Sequence, residues 1–378
     1  MNIGIISSFI DEKSGGIGVY TENLVKKLNE IDFHNNYFLI HYERSNQDIY
    51  LENSEIIIPQ KSFLNKMPGS YSFWRYYTLP KELKKYKLDV IHDPYELGPL
   101  SFSNPATKII TIHDLTPLLF PEHFKSADVW LHRLLFSKTI KNVDKIITVS
   151  EYSKKDIMEH INAPEDKIEV VYNGKSEIFH PHTENELEEI KKRYNLPYEF
   201  ILCVGGLHPI KNIPRLLKAY KKVLESGYWQ PLVIVGKKVD KWDPIFQTIS
   251  QLGLEDKVIF TGHINDNDLS LLYSAAEVFV YPCLYAGFGL PPLEAMACGT
   301  PVISSNNSSI PEVVGDAGIL IDPYQVYDIG NALVHVLDDK SMQKKMIKKG
   351  KKQAELFSWE NAARETLNIY KEAYNSNI

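Results

Sequence analysis

The stretch YAGFGLPPLEAMACG, residues 285 to 299, sets a carboxylate, Glu294, inside the first turns of an otherwise apolar helix that opens behind Gly287 and Gly289. Pro291 and Pro292 suit a helix start, where a missing N–H costs little. Burying a carboxylate unpaired is expensive, so Glu294 needs a partner. Two vicinal hydroxyls of a ribose would serve; nearby backbone or a lysine is the purely structural alternative.

Three other places could act with it. In VGGLHPIKNIPRLLKAY, Lys211 follows the Gly205–Gly206 turn and precedes a helix that Asn212 can cap, so it could add a point charge for a diphosphate; an exposed, solvated lysine is the plainer account. In SGGIGVY, Gly15 and Gly16 open a helix whose free N–H groups and dipole favour an anion and permit close approach, or they form an ordinary strand-to-helix turn. The segment TIHDLTPLLFPEHF puts His113 and Asp114 at a strand end, where a histidine could stabilise developing charge or bind a sugar hydroxyl, or simply be satisfied within a loop. Residues 61 to 87 hold seven Lys or Arg against one Glu, interleaved with aromatics. They suit an anionic membrane interface or a lipid diphosphate, or else aromatics packed inside with lysines outside.

The elements that must hold these groups follow from the apolar pattern. Seven short β-branched runs from NIGIIS to EVVYNG precede residue 175, and six more, FILCVGG to GILID, follow a charged gap. Helical segments such as 212–226, 265–276 and 324–338 separate them. This alternation predicts an α/β protein with parallel sheets covered on both faces. A chain of 378 residues exceeds one core, which predicts two domains. The candidate groups lie at strand ends, where doubly wound sheets bind ligands. A net charge of −6 gives no overall field for nucleic acid. Cys203, Cys283 and Cys298 are unpaired in spacing and read as buried thiols of a reducing compartment. The N-terminus has no basic n-region and no run suits a membrane span, so the expected location is cytoplasmic, peripheral to the inner membrane face if residues 61–87 touch lipid.

Together, GGIGVY, TIHDLTPLLFPEHF, VSEYSKKDI, YNGKSEIFHP, VGGLHPIKN, GFGLPPLEAMACGTPV and SSIPEVVGDAGILIDP resemble, in order and spacing, a family-4 retaining glycosyltransferase, in the style of bacterial mannosyltransferases. The resemblance implies the GT-B fold, two Rossmann-like doubly wound domains facing a central cleft. The charged gap bounded by Pro181 and Pro197 places a linker over 181–198 between domains over 1–180 and 199–357, and a terminal helix over 358–378 follows whose packing partner the pattern leaves open, the first domain being one option. The resemblance implies that the first domain takes the acceptor and the second the donor. It implies transfer of a hexose, mannose favoured, from a nucleotide-diphosphate sugar such as GDP-mannose to a glycan or lipid-linked acceptor. Glu294 would bind the donor ribose as the second Glu of the E-x7-E motif. Lys211 and the N–H groups of Gly16 and Leu290 would hold the diphosphate beside Gly15 and Gly206, Gly287, Phe288 and Gly289 would meet the sugar, His113 would stand beside it, and His263 and Ile264 would contact the base. No metal or other cofactor is implied, because fixed dipoles and Lys211 would supply the charge stabilisation.

Two positions depart from the family pattern. An arginine that many members carry at the place of Gly206 or Ile210 is absent, which directs attention to Arg215 and Lys237. Ala286 stands where the first Glu of E-x7-E belongs. A methyl group cannot bond donor-sugar hydroxyls or steady an oxocarbenium-like transition state, so binding with weak turnover is expected, as in a protein altered deliberately to trap substrate. A nucleotide-sugar-binding protein without transferase activity and a GT-B epimerase or hydrolase are the alternatives. A nicotinamide enzyme would require a G-x-G-x-x-G fingerprint that the first strand lacks.

Overall fold

The computed structural model describes residues 1–11, 15–43, 49, 54–59, 73–95, 104–237 and 243–377. They form two compact units, one of Met1–Gly174 with Trp359–Ile378, the other of Lys175–Ser358.

The first unit is built on β1 (Asn2–Ile6), β2 (Asn36–His41), β3 (Ser54–Ile57), β4 (Val90–Asp93), β5 (Thr107–Ile112), β6 (Lys145–Thr148) and β7 (Ile168–Val170). They make one parallel sheet in the order β3-β2-β1-β4-β5-β6-β7. The second unit contains β8 (Ile201–Val204), β9 (Leu232–Val235), β10 (Val258–Gly262), β11 (Val278–Tyr281), β12 (Val302–Ser305) and β13 (Ile319–Ile321), parallel in the order β10-β9-β8-β11-β12-β13. Every residue of β8, β9, β11 and β12 is buried, which is why these strands read as unbroken apolar runs rather than alternating ones. In each sheet the strand order turns back at the first strand, between β1 and β4 and between β8 and β11. Loops leaving the carboxyl ends of such a pair diverge to opposite faces and open a crevice.

The terminal helix Trp359–Ser376 belongs to the first unit and buries Ala363, Thr366, Tyr370 and Ala373 in a stripe of helical spacing. The segment 181–198 belongs to the second unit. Its helix Glu184–Arg193 starts in a capping box between Thr183 and Glu186, and Arg193 and Tyr194 both bond the carboxylate of Asp268. Of the basic, aromatic stretch 61–87, residues 61–72 lie outside the described residues. In the remainder Trp74 packs inside, as the alternative of inward aromatics has it, and Arg75 departs from both alternatives. Its side chain is 1% exposed and forks onto both oxygens of Asp93 at 2.8 Å, while Trp74 beside it is buried and donates to the Ile58 carbonyl. Phe73 and Tyr77 do lie exposed, their ring centroids 5.1 Å apart. Among the described residues no helix is long and apolar enough to cross a membrane.

Candidate functional site

At the β8/β11 crevice two loops are stitched together. Leu284 N donates to Ile210 O at 2.8 Å, joining the turn after β8 to the loop after β11. Lys211 Nζ donates to the Tyr281 hydroxyl at 2.6 Å and stands 5.0 Å from that ring's centroid. Burial pushes the Tyr281 phenol up to about 12, with Lys211 opposing, so the phenol accepts from the ammonium as a neutral group. The backbone at Gly205 comes so close to Gly236 that a Cβ on Gly236 would sit 2.0 Å from Gly205 O. Gly236 N in turn donates to Gly262 O, so the ends of β8, β9 and β10 share one edge, and Gly206, His263 and Ile264 are carried there. His263 is exposed and Ile264 buried.

Asn212 differs from the expectation of a side-chain cap. It has left-handed backbone, φ 59°, and its amide donates to the carbonyls of Pro282 and Pro323 at 2.9 and 2.7 Å, tying the loop after β11 to the loop after β13. A buried asparagine that can satisfy two loop carbonyls gains more there than by capping one N–H that Pro214 has already made less needy. Arg215, considered above as a substitute cation, bonds Asn212 Oδ1 at 2.6 Å and lies over the Tyr324 ring.

The loop Ala286–Gly289 is held from behind. Ser308 Oγ accepts from Ala286 N at 3.1 Å, and Ser309 Oγ lies 2.8 and 2.6 Å from the carbonyls of Ala286 and Phe288. Gly289 has φ 119°, and a Cβ on it would meet Ile310 Cδ1 at 2.8 Å, so only glycine fits the turn. From it springs the helix Leu290–Ala297, with Pro at its first positions as predicted. Phe288 packs edge-on against Phe357.

Glu294 lies one turn into that helix. Its Oε2 accepts from the Tyr273 hydroxyl at 2.9 Å, and among the described residues no cation or other donor bonds it. Burial pushes its carboxyl up to about 7, and Asp266 adds to the shift while Tyr273 opposes it. Neither a lysine nor the backbone takes the role that the structural alternative required.

In the first unit the helix Gly15–Ile31 follows β1 and starts with Gly15 at φ 57° and Gly16, both exposed, with nothing within 4 Å of where a Cβ would stand. His113, after β5, has Nε2 3.0 Å from the Pro94 carbonyl at the end of β4, and Tyr20 meets its ring edge-on at 4.8 Å. Behind it runs a buried chain. The Tyr20 hydroxyl is 3.1 Å from Thr111 Oγ1, which is 2.8 Å from His92 Nε2, and His92 Nδ1 is 2.6 Å from the Tyr370 hydroxyl. All three cysteines are free and buried.

The second unit thus brings Gly206, Lys211, Ala286, Gly287, Phe288, Gly289 and Leu290 to one strand edge, with Glu294 behind them, while Gly15, Gly16 and His113 gather at the equivalent edge of the first. Sequence reasoning missed Tyr273, Tyr281, Ser308 and Ser309. The serines sit in a quoted motif, SSIPEVVGD, and two hydroxyls before a helix signal backbone support; Tyr273, among apolar neighbours in DLSLLYSAA, carries no signal apart from core packing.

Residues 14–175 match the family described as Glycosyltransferase Family 4, and residues 185–353 match Glycosyl transferases group 1. O-antigen chain mannosyltransferase B of Escherichia coli is 33% identical over 370 residues, 94% of this chain and 96% of that one. Among solved structures, sucrose-phosphate synthase from Thermosynechococcus elongatus superposes with a TM-score of 0.82 over the whole of both chains at 23% identity. Anabaena Alr3699/HepE, solved with UDP and glucose, superposes at 0.79 over 98% of this chain and 100% of its own, at 18% identity. At such identities the likeness fixes the fold, GT-B.

Proposed function

This chain belongs to the family-4 glycosyltransferases, and from that premise we propose that it transfers mannose from a nucleotide-diphosphate sugar, GDP-mannose favoured, to a glycan or lipid-linked acceptor in polysaccharide synthesis of the O-antigen kind. The observation that carries the donor assignment is Glu294, whose only described hydrogen-bond partner is Tyr273, on a helix that opens at a glycine turn. Its carboxylate accepts the two ribose hydroxyls. The N–H groups at the start of Leu290–Ala297 and the ammonium of Lys211 meet the diphosphate, since a helix N-terminus and a nearby cation both favour an anion. Tyr281 holds Lys211 in place. Gly16 contributes a further helix opening, His263 and Ile264 meet the base, and Gly287 to Gly289 meet the sugar.

In the reaction, the bond between the sugar C1 and the diphosphate oxygen breaks as a bond from C1 to the acceptor oxygen forms on the same face. The acceptor proton passes to the departing diphosphate, so the configuration at C1 is retained. The charge developing on the diphosphate is met by the fixed N–H dipoles and Lys211, which need no reorganisation when the bond breaks. No residue side chain serves as the base. Ala286 supplies no contact to the oxocarbenium-like sugar, so turnover is slow, and binding without efficient transfer is the behaviour of this form. Residues 61–87, apart from the buried Trp74 and Arg75, add peripheral membrane contact.

Calorimetric titration of GDP, UDP and their mannose and glucose conjugates tests the reading. Glu294→Ala should weaken the tightest of these on the order of a hundredfold, the loss of two hydrogen bonds to a charged acceptor. If none of these ligands binds the unsubstituted protein, the donor reading fails.

A further inference from the structure

The helix Lys340–Ala354, KSMQKKMIKKGKKQA, carries seven lysines and no acid in a chain whose net charge is −6. At 3.6 residues per turn, Lys340, Lys344, Lys345, Lys348, Lys349, Lys351 and Lys352 fall within about half of its circumference, and all are exposed. The opposite side, with Gln343, Met346, Gly350 and Ala354, is buried. Gly350 rests on Met296, where a Cβ would come within 3.2 Å of Met296 Cγ, so the basic helix is strapped to the back of Leu290–Ala297. Lys340 pairs with Glu277 and Lys349 with Asp316, but among the described residues Lys344, Lys345, Lys348, Lys351 and Lys352 form no ion pair. Complementing the helix dipole accounts for Lys351 and Lys352 in the last turn and not for the three that precede them. Glu355 follows at the end, and beyond it Leu356 stands 64% exposed.

We propose that this face binds the anionic surface of a lipid bilayer. The charge is entirely lysine, which acts as a mobile point charge and lacks the planar fork with which arginine reads individual phosphates or carboxylates. It is spread along the outer face of one helix, and it ends in an exposed leucine able to enter the headgroup boundary. A dense, laterally mobile field of phosphates is the partner that such a face fits. Bound there, the helix Leu290–Ala297 lies one helix away from the membrane. The inference rests on the peripheral membrane contact in the proposed function and assigns it a further surface, while its test depends on neither donor binding nor transfer.

Flotation of the full chain with vesicles of phosphatidylcholine, with and without phosphatidylglycerol, tests it. Binding should require the anionic lipid and be lost at about 0.5 M salt, where the Debye length falls below ~5 Å. The variant K344E/K345E/K348E/K352E should lower partitioning by roughly six-hundredfold or more, each lysine near the surface being worth about fivefold. A control with glutamates at Lys155, Lys192, Lys218 and Lys221 carries the same net charge and should bind far better. Glutamine at the four helix positions should also lose binding, and this variant answers the question if the glutamate variant fails to fold. Equal partitioning of variant and unsubstituted protein, equal binding to neutral vesicles, or binding to heparin or RNA but not to anionic vesicles would each overturn the proposal.

Discussion

His92 and Tyr370, 278 residues apart, meet at 2.6 Å between imidazole Nδ1 and phenol oxygen, both fully buried, so the last helix of the chain is bonded to the end of β4 in the first unit. Burial, with His113 nearby, depresses the imidazole to about 3 from its usual 6.5. Between those values the unfolded chain takes up a proton that the folded one refuses. Stability from this site is therefore present above pH 6.5 and lost as pH falls toward 3, by on the order of 5 kcal/mol in full. Urea midpoints of the unsubstituted protein should fall across that window. His92→Gln should begin about 1–3 kcal/mol less stable at pH 8, through imperfect pairing with Thr111 and Tyr370, and then show a flatter acid limb. Parallel acid limbs would remove His92 from the account.

Glu294 titrates in the opposite sense. Its carboxyl is raised to about 7 from 4.5, so the folded state holds a proton that the unfolded chain has released, and its contribution to stability is lost as pH rises through 7. In the ligand-free protein at pH 8, Glu294→Gln should raise stability by roughly 1–3 kcal/mol, since a neutral amide avoids burying charge. Ribose hydroxyls donate to the carboxylate and favour the ionised form. Nucleotide binding at pH 6 should thus release close to one proton, visible as a dependence of calorimetric heat on buffer ionisation enthalpy, and should release none at pH 8.5. Heats that are independent of buffer at pH 6 would show that Glu294 is not the ribose acceptor.

The residues that place the site were partly readable in advance, and the division is physical. Strand runs such as FILCVGG and PLVIVGKK are legible because parallel strands buried on both faces need no alternation, and the glycine turns because Gly289 must adopt φ 119°. The terminal helix was less legible. Its stripe is made of Ala363, Thr366 and Ala373 around Tyr370, and small or hydroxylated side chains give little apolar signal even when fully buried. Asn212 was misplaced because an asparagine before a helix suggests a cap, while the two carbonyls it serves, Pro282 and Pro323, come from loops about 70 and 110 residues away. Tyr273 and Glu294 meet across 21 residues and two helices, a pairing that no local pattern encodes.

Ala286 offers the most direct test of turnover. Its backbone is fixed on both sides by Ser308 and Ser309, so a longer side chain can be grafted without unmooring the loop. Ala286→Glu should raise transfer by a hundredfold or more, the usual worth of one transition-state contact, while nucleoside diphosphate affinity changes little. Initial rates with saturating donor and a glycan acceptor separate the two. An unchanged rate across a panel of donors would mean that position 286 does not limit the chemistry.

Gly16 and Gly289 should respond differently to the same methyl group. At Gly289 the backbone is left-handed and Ile310 Cδ1 stands 2.8 Å from the new Cβ, so Gly289→Ala should cost roughly 1–3 kcal/mol and lower nucleotide affinity together with stability. At Gly16 there is open space and the residue is helical, so Gly16→Ala should leave the melting temperature unchanged or raise it slightly, by up to about 1 kcal/mol of stability. On the proposed role of Gly16 as a helix opening for the diphosphate, transfer measured in the Ala286→Glu background should fall at least tenfold with no loss of fold. A Gly16→Ala protein of full activity and full stability would assign the Gly-Gly pair to turn geometry alone.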